Sequence, residues 1–339
     1  MIVDAHHHFW RYTPEEFGWI ASDALRRDFG PKELEETIRG TARWGYRALP
    51  QVDRVVSVEA RQCVAETEQL LAYAAQYDYI AGVTGWLPIA DDTRFSALLE
   101  RFAAEPKLKA LRHVIQDEPD EAFILRDDFN AGISRLEGTS LAYEILVFQR
   151  QLANAIVFAD RHPNLRLVLD HMGKPAGSLN AEWVRLIREM AKRENVWCKV
   201  SGLVTEVGHV DFRPYVETVL EAFGPSRVMW GSDWPVVTAD LAYADWLAAC
   251  RELLPEECLG EVASKFYQLR CRNERESSTR VAGSVSCILA RRCAIGRASA
   301  SCGLGPPGPG RAFHGSFRGC PADRSADVRL LGRRQRQAA

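Results

Sequence analysis

From residue 1 to about 270 the chain alternates two hydrophobic rhythms. Short runs of aliphatic residues are each followed by a longer stretch in which apolar residues recur every three or four positions. Eight runs predict strands at 2–5, 54–58, 80–86, 110–114, 142–147, 165–170, 196–200 and 227–230. Several, such as Leu165-Arg166-Leu167-Val168-Leu169, are dominated by aliphatics, as strands covered on both faces are. Between them, 64–76 carries Val64, Leu70, Leu71, Tyr73 and Ala74 among Glu and Gln, and 181–193 carries Trp183, Val184, Leu186, Ile187 and Met190. Both suit a helix with one buried stripe. Strands alternating with helices predict a parallel sheet. Eight such units in about 250 residues match an α/β protein of the closed (β/α)8 TIM-barrel class. The competing architecture, an open doubly wound sheet, wants a Gly-rich phosphate turn after the first strand. His6-His7-His8 stands there instead.

The rhythm stops after Tyr267-Gln268-Leu269. Lysine disappears, Arg, Gly, Ser, Cys and Pro dominate, and Gly305-Pro306-Pro307-Gly308-Pro309-Gly310 interrupts the middle. We therefore expect a barrel domain over 1–270 and a disordered basic tail over 271–339. Abundant Arg without Lys resembles GC-rich DNA read in the wrong frame, so the tail reads as a frameshift or read-through product. A genuine basic tail is the alternative.

The division also sharpens the charge. Of 43 basic and 45 acidic residues, 13 and 4 lie between Arg272 and Ala339, which leaves 30 and 41 in the body. An acidic body of net −11 argues against nucleic acid as a partner. No run of 18 apolar residues predicts a membrane span, and the first residues lack a secretory pattern, so the expected location is cytoplasmic. Cys63, Cys198, Cys250, Cys258 and Cys271 form no C-x-x-C pair and read as reduced, packed thiols. Cys287, Cys293, Cys302 and Cys320 fit no zinc spacing.

Catalytic groups in a parallel barrel sit where strands end. On strand 1, alternation puts His6 and His8 on one face and turns His7 away. A purification-tag remnant would also be a His run, but this one is embedded between Ile2-Val3-Asp4-Ala5 and Phe9-Trp10. Strand 2 delivers Glu59, able to bind hydroxyls or a cation, or to serve in a salt bridge. Strand 4 delivers Arg112 and His113, and Arg offers a planar fork to a carboxylate or carbonyl. Strand 6 ends in Asp170-His171-Met172-Gly173-Lys174-Pro175, a turn with His171 at its mouth. Lys199 lies within the apolar seventh strand, which calls for a pocket or a carboxylate beside it. Strand 8 ends in Gly231-Ser232-Asp233-Trp234-Pro235, where Asp233 can serve as general base on water or as a helix cap.

Two histidines on strand 1, one on strand 6 and an aspartate on strand 8 resemble the amidohydrolase superfamily (amidohydrolase-related, type 2). Its D-x-H-x-H start is matched by Asp4, His6 and His8. More narrowly the chain resembles the sugar-acid lactonase branch, of the L-fuconolactonase and L-rhamnonolactonase kind, related to 2-pyrone-4,6-dicarboxylate lactonase. The likeness rests on DAHHHFW (4–10), LRRDFGP (25–31), IAGVTGWLP (80–88), LRHVIQDEPD (111–120), LVLDHMGKP (167–175), VWCKVSGLVTE (196–206) and VMWGSDWPV (228–236), and ends at KFYQL (265–269). It implies a hydrolase opening a small lactone of the sugar-acid (aldono-) kind in carbohydrate catabolism. Asp233 would deprotonate water, with His6, His8 and His171 lining the carbonyl or a metal, and Arg112 and His113 touching substrate. Trp10, Trp86, Glu59 and His113 are further candidates for binding hydroxyls, and Lys199 is a supporting group. Members of the branch differ over metal. One divalent ion, Zn²⁺ or similar, would be held by His6, His8, His171 and Asp233, and a metal-independent reaction is the alternative. The absence of an evident strand-4 lysine for carbamylation argues against a two-metal site. Two other functions remain open: a metal-dependent decarboxylase of aromatic acids on the same barrel, and a non-catalytic barrel whose last helix is unseated by the altered end.

Overall fold

The computed structural model of the chain describes residues 1–39, 52–208 and 210–269. The tail expected over 271–339, with Cys271 and the four later cysteines, lies outside the described residues. So does part of the long segment after strand 1. Cys63, Cys198, Cys250 and Cys258 are free thiols.

Eight parallel strands follow one another around a barrel in chain order. They are β1 (Val3–His7), β2 (Arg54–Val58), β3 (Ile80–Gly85), β4 (Leu108–His113), β5 (Ala142–Ile145), β6 (Leu167–Leu169), β7 (Val196–Val200) and β8 (Val228–Trp230). The ring closes just past β8, where Asp233 N donates to His6 O at 2.8 Å and His8 N donates to Trp234 O at 2.7 Å. The helices are α1 (Pro31–Ile38), α2 (Val64–Gln76), α3 (Asp92–Phe102), α4 (Asp127–Ser134), α5 (Leu152–Arg161), α6 (Ala181–Met190), α7 (Leu203–Val207), α8 (Arg213–Phe223), α9 (Tyr243–Leu253) and α10 (Glu261–Phe266). No helix among the described residues is long and apolar enough to cross a membrane.

Sequence explains the helix faces. On α6, Trp183, Leu186, Ile187 and Met190 are buried at helical spacing, and the Asn180 side chain caps the first turn by accepting from Trp183 N at 2.8 Å. The helix stops at Met190, three residues short of the expectation, in a pair of tight turns (Lys192 N to Glu189 O, Arg193 N to Met190 O).

The barrel has an apolar floor. Val3, Ala5, Val56, Ala81, Ala110, Ala142, Val168 and Met229 pack with Phe266, Tyr267 and Leu269, so α10 and the residues after it cover the N-terminal end of the strands. The last described helix is therefore seated in the core. Above this floor the barrel turns polar, with Thr84, Glu144, Asp170 and Lys199 all fully buried. Burying such groups is costly unless each finds a partner.

Candidate active site

The partners are found in one continuous network. Lys199 Nζ donates to Glu144 Oε2 (2.6 Å) and to His6 Nδ1 (3.1 Å), and lies 3.0 Å from Asp170 Oδ1. Two of the ammonium hydrogens thus have aligned acceptors, and Asp170 adds an ion pair. Glu144 Oε1 in turn accepts from Thr84 Oγ1 (2.7 Å) and Tyr267 Oη (2.5 Å). Arg112 bridges the other side: Nε to Glu59 Oε1 (2.9 Å), Nη1 to Asp170 Oδ2 (3.1 Å) and Nη2 to Glu59 O (2.5 Å). Lys199 and Arg112 thus hold Asp170 between them.

His6 sits on top of this layer. Lys199 is the nearer of two cationic donors, at 3.1 Å from Nδ1 against 3.4 Å from Arg112 Nη1 to Nε2, so neutral His6 is assigned its hydrogen on Nε2, 3.2 Å from His8 Nε2. His8 donates its own Nδ1 hydrogen to Val58 O at 2.9 Å. Burial holds the His6 imidazole well below its ordinary pKa, and the Lys199 charge adds to the effect. His171 Nδ1 shares a hydrogen bond with Ser201 Oγ (2.9 Å), and burial depresses this imidazole too. Asp233 Oδ1 lies 3.5 Å from His8 Nε2 and 3.8 Å from His6 Nε2. Burial pushes the Asp233 carboxyl up, but His171, His8 and Lys174 more than offset it, so the group is a carboxylate at neutral pH.

Backbone strain marks two residues of the cluster. His171 (φ 51°) and Asp233 (φ 59°) are both left-handed, a conformation that L residues adopt at a cost of about 1–2 kcal/mol. Two glycines let the network close. A Cβ on Gly231 would stand 2.7 Å from His6 Cβ, and one on Gly202 (φ +64°) would stand 2.5 Å from His171 Nδ1. His7 points elsewhere, onto Ser57 Oγ at 2.9 Å and the Phe9 ring.

A cavity of ≈ 550 Å³ opens above these groups, lined by His8, Arg112, His171 and Asp233 together with Trp19, Arg61, Gln62, Asp117, Lys174 and Glu206. Not every candidate residue faces it. Glu59 and Lys199 lie one layer below and hold Arg112 and His6. Burial pushes the Glu59 carboxyl up to about 7, against the pull of Arg112. Trp86 Nε1 donates to His113 Nδ1 (3.2 Å), His113 Nε2 donates to Glu118 Oε1 (2.6 Å) and His113 stacks on Phe123, so this pair is satisfied away from the cavity walls. Trp10 is buried and gives its N–H to Arg27 O at 2.9 Å. Asp4 accepts from Ser232 N and Tyr243 Oη (2.8 and 3.1 Å), and burial lifts it to about 6.

Sequence reasoning passed over Asp170 and Glu144. The signal was present: a carboxylate inside the aliphatic run Ala142-Tyr143-Glu144-Ile145 needs a buried cation as much as Lys199 needs a carboxylate.

The donor set suits a divalent cation. His6, His8 and Asp233 offer atoms within 4.8 Å of one another, and so do His6, Asp170 and His171. Four buried carboxylates (Glu59, Glu144, Asp170, Asp233) face two buried cations (Arg112, Lys199). Glu59 Oε2 and Asp170 Oδ1 lack an aligned hydrogen-bond donor among the described residues. Binding at His6 Nε2 would displace the hydrogen carried there.

Comparison with known proteins agrees with this architecture. The amidohydrolase family model matches residues 3–265. An L-fucono-1,5-lactonase of Burkholderia ambifaria is 36% identical over 261 residues, 74% of this chain and 87% of the relative. A second, from Burkholderia multivorans, is 36% identical over 264 residues, 71% of this chain and 84% of the relative. The crystal structure of an amidohydrolase from Burkholderia multivorans with bound zinc superposes with a TM-score of 0.71 at 33% identity, over 80% of this chain and all of that one. The matched length, the eight-stranded barrel and the His/Asp cluster at its mouth agree: this chain belongs to the amidohydrolase family.

Proposed function

We propose that this chain hydrolyses a lactone, the cyclic ester of a sugar acid, with Asp233 as the base that activates water. The observation that carries the reading is the convergence of Asp233, His8, His171 and Arg112 on one cavity wall, with Asp233 Oδ1 3.5 Å from His8 Nε2. The curated relatives that are lactonases support it.

The chain's own groups account for each proton. Asp233 takes a proton from water as the water oxygen bonds to the lactone carbonyl carbon. The carbonyl oxygen becomes an oxyanion, which the Arg112 guanidinium and the imidazoles at the cavity floor can stabilise. Collapse breaks the bond from carbon to ring oxygen. The departing oxygen recovers the proton from Asp233, giving a hydroxy acid and the starting carboxylate. A divalent ion, held by His6, His8, His171 and Asp233, would polarise the carbonyl when bound.

The charges around the cavity favour a neutral substrate. Arg61 is already paired with Glu16 and Glu66 (2.5 and 2.7 Å), Arg112 with Glu59 and Asp170, and Lys174 with Glu206 (3.0 Å). A carboxylate on the substrate would have to compete for these cations. A polyhydroxylated ring meets acceptors and donors without such competition.

The test is a screen of aldonolactones with a pH indicator, run on wild type and Asp233→Asn. The variant is expected to bind with a near-normal KM and to lose on the order of 10²–10⁴ in kcat. Full activity in Asp233→Asn removes it as base. Release of carbon dioxide from a benzoate-type acid, with no lactone turned over, would replace the hydrolase with a decarboxylase.

A further inference from the structure

We infer that Trp19 is a stacking platform for the carbohydrate ring, and so selects sugar lactones over plain ones. This rests on the lactonase reading above and adds a residue to it.

Local structure forces Trp19 outward. Ile20 N donates to Phe17 O at 3.0 Å, closing a turn with Gly18 and Trp19 at its centre. Both ends of the turn are pinned, because Phe17 and Ile20 are buried. Trp19 is left 51% exposed, the one aromatic among the exposed large hydrophobic residues described. It is not loose, however. Its indole meets Trp10 edge-on, with centroids 5.8 Å apart at 81°, and Trp10 is locked by its hydrogen bond to Arg27 O and by packing on Phe29.

A lone exposed indole is ordinary on a protein surface, and what sets this one apart is that it is held in place at the rim of a cavity. Trp19 lines the same cavity as His171 and Asp233. A sugar lactone has ring faces of C–H bonds and a rim of hydroxyls. Each C–H carbon of a sugar ring also bears an oxygen, so its hydrogens are more positive than those of a plain ring and are drawn more strongly to the negative face of an aromatic ring. With one face on Trp19, the hydroxyl rim would meet polar neighbours in the cavity wall. Glu16, Gln62 and Asp117 are there, and Gln62 spends its Oε1 on Val114 N (2.9 Å), which leaves its amide hydrogens for a ligand.

The experiment compares wild type, Trp19→Ala and Trp19→Phe on an aldono-1,5-lactone and on γ-butyrolactone, a ring ester without hydroxyls. Trp19→Ala is expected to raise KM for the aldonolactone by about three- to tenfold with kcat almost unchanged. Its kcat/KM on γ-butyrolactone falls by about twofold or less, its circular dichroism matches wild type, and Trp19→Phe recovers most of the loss. An unchanged KM for the aldonolactone, or equal losses on both esters, overturns the platform. A second arm does not need turnover: titration with a free hexose, followed by tryptophan emission. Wild type should respond saturably and Trp19→Ala should not. If no lactone is hydrolysed but this arm behaves as expected, the lactonase reading fails and the platform stands. No saturable response in wild type overturns the platform.

Discussion

Lys199→Met removes the ammonium and keeps a side chain of similar length. Lys199 is fully buried, donates to Glu144 and His6, and pairs with Asp170. Breaking a buried ion pair by deleting one partner costs about 3–5 kcal/mol, because the other charge is left uncompensated. The lower end applies here. Glu144 keeps its donors Thr84 and Tyr267, and Asp170 keeps Arg112. Burial also pushes the Glu144 carboxyl up, so protonation caps the penalty. A loss of about 3 kcal/mol is a large part of a stability of roughly 5–15 kcal/mol. At about 2–4 °C per kcal/mol it lowers Tm by roughly 6–12 °C. Urea unfolding followed by circular dichroism measures it. The companion Lys199→Met/Glu144→Leu removes both charges and should recover part of the loss, since a buried pair can be replaced by apolar residues at little net cost. A loss under about 1 kcal/mol in the single variant, or a double variant weaker than the single by an additive amount, would refute this account of the network.

Three further outcomes follow from the same layer. The Glu59 carboxyl is lifted from 4.5 to about 7, so between those pH values the folded chain holds a proton that the unfolded chain releases. The resulting stability is present below pH 4.5 and is lost as pH rises through 7, by about 3 kcal/mol. Urea midpoints of wild type should therefore fall more steeply from pH 5 to pH 8 than those of Glu59→Gln, and parallel curves would show that Glu59 titrates normally. Tyr267→Phe deletes the hydroxyl donated to buried Glu144 and should cost about 1.5–3 kcal/mol in thermal unfolding; an unchanged Tm would show that the hydroxyl contributes nothing. Gly202→Ala places a methyl against His171 on left-handed backbone. It should lower kcat and cost at least about 1–2 kcal/mol, and normal kinetics would show that the loop yields freely.

The fold was legible where one rule governs a whole segment. The bounds expected for 54–58, 196–200 and 64–76 are those of β2, β7 and α2, because aliphatic runs and helical stripes are repeated signals. The sixth strand is shorter than its run at both ends. Past Leu169 the chain enters left-handed backbone at His171, Met172 and Lys174, and these residue types give no local warning of it. Alternation placed His6 and His8 together and His7 apart. The same rule applied to Arg112 and His113 separates them, and the structure does so: Arg112 faces the cavity while His113 turns to Trp86 and Glu118. Alternation fails one step earlier on β1, where Asp4 turns to Tyr243. The register against β2 shifts between Asp4 and His7, and a shift of this kind resets the parity of a strand.

The barrel's layers explain why the groups at its mouth depend on residues far below them. The apolar floor needs only volume and hydrophobicity, which many side chains supply. The polar layer above it needs particular donors in particular places, since each unmatched group there is costly. That demand links the floor to the site: Tyr267 fixes Glu144, Glu144 fixes Lys199, and Lys199 decides which nitrogen of His6 carries hydrogen. The uppermost groups then sit on backbone that local preference disfavours. His171 and Asp233 stay left-handed because Ser201, the backbone of His6 and the close-approach glycines at 202 and 231 leave them little room elsewhere. Strain of this kind persists only while the layers beneath it are rigid. A substitution at Tyr267 or Glu144 should therefore reach the chemistry through geometry, lowering kcat before it changes what the cavity can bind.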